Sequence, residues 1–223
     1  MFAGHVGVAL AIGRAERRVN VGVFVAAALL LDLLLWLLVL AGSESVFIPG
    51  DFPNTHQAQF AFPYSHGLLS GLTWSVLAGA VAFYLCAEPR AARWRVGTLV
   101  AAAVFSHWLL DALIHQPELP LAGAASLKIG LGLWRTMPAA LVLEAAIVVA
   151  GLWLFLRNCG LSHGRVIALA VLSALILVFT VVGMTVAPPP PSATAMAGAS
   201  LITLLAVCSL YYGFGSRPRP GQA

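Results

Sequence analysis

Six apolar stretches, each close to twenty residues or longer, run through this chain at roughly residues 20–41, 64–87, 95–115, 134–157, 164–187 and 194–215. Stretches of that length leave few folds open. A helix rises about 1.5 Å per residue, so each is long enough to cross a hydrocarbon core of about 30 Å. Only 9% of the residues are charged, against about 25% in a soluble domain, and the mean hydropathy is +0.94. Too little polar surface remains to cover a globule in water.

A shorter apolar run, MFAGHVGVALAIG, opens the sequence. Its arginines follow the run instead of preceding it, and no small-residue cleavage motif comes after, which argues against a signal peptide. It reads as a retained short helix that crosses by thinning the bilayer or lies in a groove of protein. The expected fold is therefore an all-α polytopic transmembrane bundle of about six full spans plus a short N-terminal helix. It forms one integral membrane domain over 1–223, with chemistry in 1–157 and two scaffold helices over 164–215.

The basic residues set an orientation. Arg14, Arg17 and Arg18, then Arg90, Arg93 and Arg95, then Arg157 and Arg165, and finally Arg217 and Arg219 occupy alternate loops and the tail. The intervening loops, 42–63, 116–133 and 188–193, hold only Lys128, with Arg135 at a helix start. By the positive-inside rule the arginine-rich loops and the C-terminus are cytoplasmic, and the N-terminus faces out. The net charge of +4 is thus spread along loops and forms no nucleic-acid patch. Cys86, Cys159 and Cys208 lack metal-type spacing and fall near the cytoplasmic side, where thiols stay reduced.

Against this background the ionisable residues inside the apolar stretches stand out. In SHWLLDALIH, His107, Asp111 and His115 recur at a spacing of four, which stacks them along one side of a helix. Asp32 lies about 13 Å below the outer end of its span at 1.5 Å per residue. His5 and His66 lie near the outer ends of theirs, and Glu144 is about ten residues into its own from the same side. Charged groups in a bilayer usually face partners or a cavity, and these all fall in the outer half. From residue 164 onward there is no Asp or Glu.

Histidine and aspartate suit Zn²⁺, Mn²⁺ or Fe, with zinc the first choice. Five candidate ligands, His5, Asp32, His66, His107 and Asp111, exceed one tetrahedral zinc. Either two ions share a carboxylate, or one ion keeps the remainder as an outer layer. Glu144 or His115 would then serve as general base.

The segments GHVGVALAIG, LLLDLLLW, PYSHGLL and FSHWLLDALIH resemble, in order, the blocks of the bacterial membrane-bound metal-dependent hydrolase family (YdjM-like). The resemblance covers residues 1 to about 115 and implies that His5, Asp32, His66, His107 and Asp111 bind metal. The chain departs from the family pattern at Leu34, where the family has a second aspartate. It departs again near Ala61 and Phe62, where the family has histidine and arginine. The resemblance therefore implies a reduced site, compensated by His115 or Glu144. The implied activity is hydrolysis of a lipid-linked or envelope substrate at the outer face of a bacterial inner membrane.

Other readings compete. His107 and Asp111 can be interhelical glue, in a non-catalytic protein that keeps the polar cluster for structure. Buried Asp and His can also relay ions through a proton-coupled transporter, although the sequence has no repeat and no Gly/Pro-broken helix pair near the midplane. Ser65–His66 and Ser106–His107 are not expected to form nucleophile–base pairs, since neighbours on a helix point about 100° apart, and Ser65 reads as an N-cap. Trp74, Trp108, Trp134 and Tyr64 fit an interfacial belt or lipid packing. His56 and His163 carry no assigned role, and Asp51 and Glu118 read as solvated loop charges, with a place over the site mouth as the alternative.

Overall fold

The computed structural model describes residues 2–87, 89–157 and 159–216; Arg217 and Arg219 lie outside them. It is an all-α bundle. Its helices are α1 (Phe2–Ala15), α2 (Val21–Ala28), α3 (Leu30–Leu40), the one-turn α4 (Phe52–Thr55), α5 (Leu68–Leu85), α6 (Arg90–Ile114), α7 (Met137–Leu156), α8 (His163–Thr185) and α9 (Ala193–Phe214). Five of these are long and apolar enough to cross a membrane, and α2 with α3 makes a sixth if the bent pair is one span.

The bend between α2 and α3 is 49°. The sequence predicts one unbroken span over 20–41, because no proline marks the break and the run AAALLLDLLLW is strongly helix-forming. Leu29 leaves helical geometry at φ −100° and ψ 4°. Two span starts also differ from expectation. α5 begins at Leu68 and not near 64, because Pro63–His66 form a turn. α6 begins at Arg90, so Arg93 and Arg95 belong to the helix; long arginine stems favour helix and carry their charge outward.

α1 occupies the middle of the bundle, with Ala3, Val6, Ala9 and Leu10 fully buried. It lies in a groove of protein. Its closest neighbour is α7, reached through glycine: a Cβ added at Gly7 would stand 2.6 Å from the Ile147 carbonyl oxygen and 2.8 Å from the Val148 Cα. Gly79 of α5 and Gly97 of α6 meet in the same way, each 2.7 Å from the other's carbonyl oxygen by that measure. Close backbone approach through small residues is how helices associate where lipid is as apolar as the side chains.

The two ends differ. One end gathers Arg14, Arg17, Arg18, Arg90, Arg157 and Arg165. There the buried Glu16 pairs with Arg18 and Arg95, both at 3.3 Å, and locks the end of α1 to the start of α6. The opposite end carries two small antiparallel ribbons, β1 (Ser45–Phe47) with β2 (Gln59–Ala61) and β3 (Leu119–Pro120) with β4 (Lys128–Ile129). These ribbons cap the polar cluster.

Candidate metal centre

Four elements deliver the cluster. Asp32 comes from the first turn of α3, His66 from the turn before α5, and His107 and Asp111 from successive turns of α6. His66 Nε2 lies 3.1 Å from His107 Nε2, 3.4 Å from Asp111 Oδ2 and 3.5 Å from Asp32 Oδ1. His107 Nε2 lies 3.1 Å from Asp111 Oδ2 and 3.5 Å from Asp32 Oδ1. For ligand bonds of 2.0–2.1 Å, the edge of a tetrahedron of donors is about 3.3 Å. These five separations bracket that edge.

α1 adds His5 to the group. Its ring stacks on His107 at 3.7 Å between centroids, and its Nε2 is 3.2 Å from Asp111 Oδ1. Yet neither ring nitrogen makes a hydrogen bond, although the side chain is fully buried. Buried polar atoms are nearly always satisfied, so an imidazole whose Nδ1 has no partner and whose Nε2 meets only a carboxylate fits a place for a cation. Two sets of donors meet within 4.8 Å of one another and can hold a metal: His66, His107 and Asp111, and His5, Asp32 and His107.

The outer layer fixes which nitrogen faces inward. His107 Nδ1 is 2.7 Å from the Ala28 carbonyl oxygen. Ala28 is the last residue of α2, and carbonyls at a helix end need partners from outside the helix. With that carbonyl as its acceptor, Nδ1 carries the proton and Nε2 keeps its lone pair for the cluster. The break at Leu29, which the sequence does not announce, thus orients a central side chain.

His66 is held through Ser65. His66 Nδ1 is 2.8 Å from Ser65 Oγ, which donates to Glu44 Oε2 at 2.7 Å. Glu44 Oε1 also accepts the Tyr64 and Ser65 amides at 2.8 and 2.9 Å. The helical argument against contact between Ser65 and His66 fails because neither is in a helix, and the N-cap position of α5 belongs to Gly67. Ser106 does behave as a helical residue and donates to the Ala103 carbonyl. Trp108 is buried and donates to the His66 carbonyl at 3.0 Å, so it braces this turn and is no part of an interfacial belt.

No family model, curated protein or solved structure matches this chain. Its chemistry is therefore argued from its own residues.

A cavity of about 330 Å³ opens on the cluster, lined by Asp32, His66, Asp111, His115 and Glu144 among others. His115 caps the end of α6, with Nδ1 2.5 Å from Glu118 Oε1 and Nε2 3.9 Å from Asp111 Oδ2. Glu118 also accepts the Phe60 amide at 3.2 Å, so it is a built-in partner and not a solvated charge. Glu144 borders the cavity too, but its Oε2 accepts the Gly4 amide at 3.2 Å and satisfies the start of α1. Phe62 packs its ring edge-to-face on His66 at 4.8 Å.

Three contributors went unread in the sequence. Glu44 sits in a loop, where no periodicity marks a residue as inward-facing; Glu118, also in a loop, does lie at the site mouth, the alternative to a solvated charge. His56, in a left-handed conformation at φ 51°, reaches from the 42–63 loop to the Ala187 carbonyl at 3.0 Å and lines the cavity. The third is a whole wall. α8 and α9 supply no acidic or histidine ligand inside the bundle, yet Thr180, Gly183, Met196 and Thr203 face the cavity, so these helices are more than scaffold.

Proposed function

We propose that this chain is a membrane-embedded metal-dependent hydrolase, a reduced relative of the family it resembles, acting on a lipid-linked substrate at the outer face of a bacterial inner membrane. One observation carries the reading: donors from three elements, Asp32 of α3, His66 before α5, and His107 and Asp111 of α6, stand 3.1–3.5 Å apart in five pairings, close to the edge of a tetrahedral coordination shell. His66, His107, Asp32 and Asp111 would hold the ion, zinc by donor type. Both candidate donor sets need His107, whose Nδ1 is engaged and whose Nε2 has one lone pair, which favours a single ion with His5 beside it. A divalent ion in such a site supplies Lewis acidity and an activated water.

The protein's own groups complete the arrangement. With Glu118 holding the proton on Nδ1, His115 presents the bare Nε2 to the cavity, the form that accepts a proton from water. That makes His115 the general base in preference to Glu144, whose carboxylate is committed to α1. Phe62 and Trp36 keep the approach apolar.

Metal analysis of purified full-length protein, supplied with zinc and never exposed to chelator, tests this. Wild type should carry about one ion per chain, as a single tetrahedral shell implies, and His107→Ala and Asp111→Ala should carry none while remaining folded. His115→Gln should keep the metal and lose turnover of the substrate. Equal, near-zero metal in wild type and variants would move the reading to a structural cluster.

A second reading has one observation in its favour. Discontinuous spans often build ion sites in transporters, and Asp32 follows such a break directly. Flux of protons or metal across vesicles, abolished by Asp32→Asn, would favour it over hydrolysis.

A further inference from the structure

The cavity does not end at the polar cluster. It continues between α8 and α9, where its wall is Phe179, Gly183 and Met184 from one helix and Met196, Ala199 and Thr203 from the other. Its surface is predominantly apolar. The two helices are tied at two places and make few other contacts with each other. Midway along α8, Ser173 Oγ meets the OH of Tyr211, from the last turn of α9, at 2.7 Å, and at the ribbon end residues 186–192 connect the two helices. The cavity wall lies between these two ties.

Both helices belong to the outer layer of the bundle. Val171, Leu175, Val178 and Val182 of α8 and Ile202 and Leu205 of α9 are exposed, as expected of lipid-facing positions. The wall between cavity and bilayer is therefore one helix thick, and the parting of α8 from α9 lies in that wall. Phe179, which lines the cavity, is itself 56% exposed. It stands edge-to-face with Phe2 at 5.9 Å, at the junction of the cavity with the α8 surface.

On the far side of the cluster the surroundings become polar. A second cavity of about 310 Å³ is lined by Gln57, Gln59, Gln116, Glu118 and Lys128, and shares Phe60 and Trp134 with the first. An apolar slot, a polar cluster and a polar vestibule thus follow one another in space.

We propose that the slot between α8 and α9 binds the aliphatic chain of a membrane lipid, which enters sideways from the bilayer while its polar head reaches the vestibule. This rests on the hydrolase reading and sharpens it. The substrate class is a single amphiphile whose bond at the junction of chain and head lies over Asp111 and His115. The whole cavity, slot and cluster side together, is near 330 Å³, at the small end of ligand pockets, which suits one chain and not a whole diacyl lipid.

Gly183 gives the test a clean variant. Nothing lies within 4 Å of where its Cβ would stand, so Gly183→Phe fills the slot without pressing on the fold. Full-length protein is reconstituted in vesicles of phosphatidylethanolamine and phosphatidylglycerol, the latter bearing a photoreactive diazirine at the end of one acyl chain. Adducts are mapped by mass spectrometry, and metal content is measured on the same samples.

Wild type should label at Met184, Met196 and Thr203 beyond the level of outward-facing Val171 and Leu175. Gly183→Phe should lose the cavity labels, keep the outward ones and keep its metal. Metal-loaded protein whose cavity positions label no more than Val171, or label equally after Gly183→Phe, overturns the slot. Protein that labels in the slot but holds no metal supports the slot and sinks the hydrolase reading, so the two failures are separable.

Discussion

Glu44 commits both carboxylate oxygens to the turn that carries His66: two amides on one, the Ser65 hydroxyl on the other. Through Ser65 it settles which face of the imidazole points at the cluster. Partners of this kind contribute about 10- to 100-fold to metal affinity. Glu44→Gln and Ser65→Ala should each weaken zinc binding by about that factor, measured by competition with a fluorescent chelator, without abolishing it as His107→Ala does. Proton competition acts on the same residues. A histidine must be neutral to donate its lone pair, and free imidazole titrates near pH 6.5, so zinc affinity should rise with pH through the imidazole range and fall on acidification. Affinity unchanged between mildly acidic and mildly basic buffer would mean that histidines do not hold the ion. At this scale the sequence was legible where helix period applies. His107 and Asp111 follow from a spacing of four, whereas Glu44, Glu118 and the Ser65–His66 contact sit in turns, where adjacency has no fixed geometry.

Among the elements, α1 and α7 depend on each other most directly. Gly7 faces backbone atoms of α7, which cannot swing aside as a side chain could. Gly7→Leu should drive the helices apart and cost about 1–3 kcal/mol or more, as overpacking does. It should also detach Glu144 from the Gly4 amide. The expected result is a lower thermal unfolding midpoint in detergent together with weakened zinc binding. Gly183→Leu, placed where no atom lies within 4 Å, should leave the midpoint unchanged. Helix lengths were readable from hydropathy because every span must hide its own backbone. The bend at Leu29 was not, because the kink comes without proline and takes its partner, His107, from another helix. Nor was the cavity face of α8 and α9, since an apolar wall toward a cavity and an apolar wall toward lipid use the same residues.

For the molecule as a whole, the clearest asymmetry is between the arginine-rich end and the end with the ribbons and cavity. The positive-inside rule predicts the first to be cytoplasmic. In a cysteine-free background, a cysteine at position 93 should resist a membrane-impermeant thiol reagent in intact cells, and one at position 54 should react. The reverse pattern would turn the site inward and exclude an outer-face substrate. A different consequence follows from where the cluster's members come from: α1, α3, the turn before α5, and α6. In a bilayer there is little hydrophobic drive to bring helices together, and this central layer instead joins its helices through carboxylates and imidazoles that face one another. An ion held by the proposed ligands would rivet three separately inserted segments, as a cross-link does, with α1 packed beside it through His5. On that reading metal supply would govern biogenesis: in metal-starved cells the newly made chain would be left half-assembled, a target for membrane proteases, and its abundance would fall before its activity could be missed.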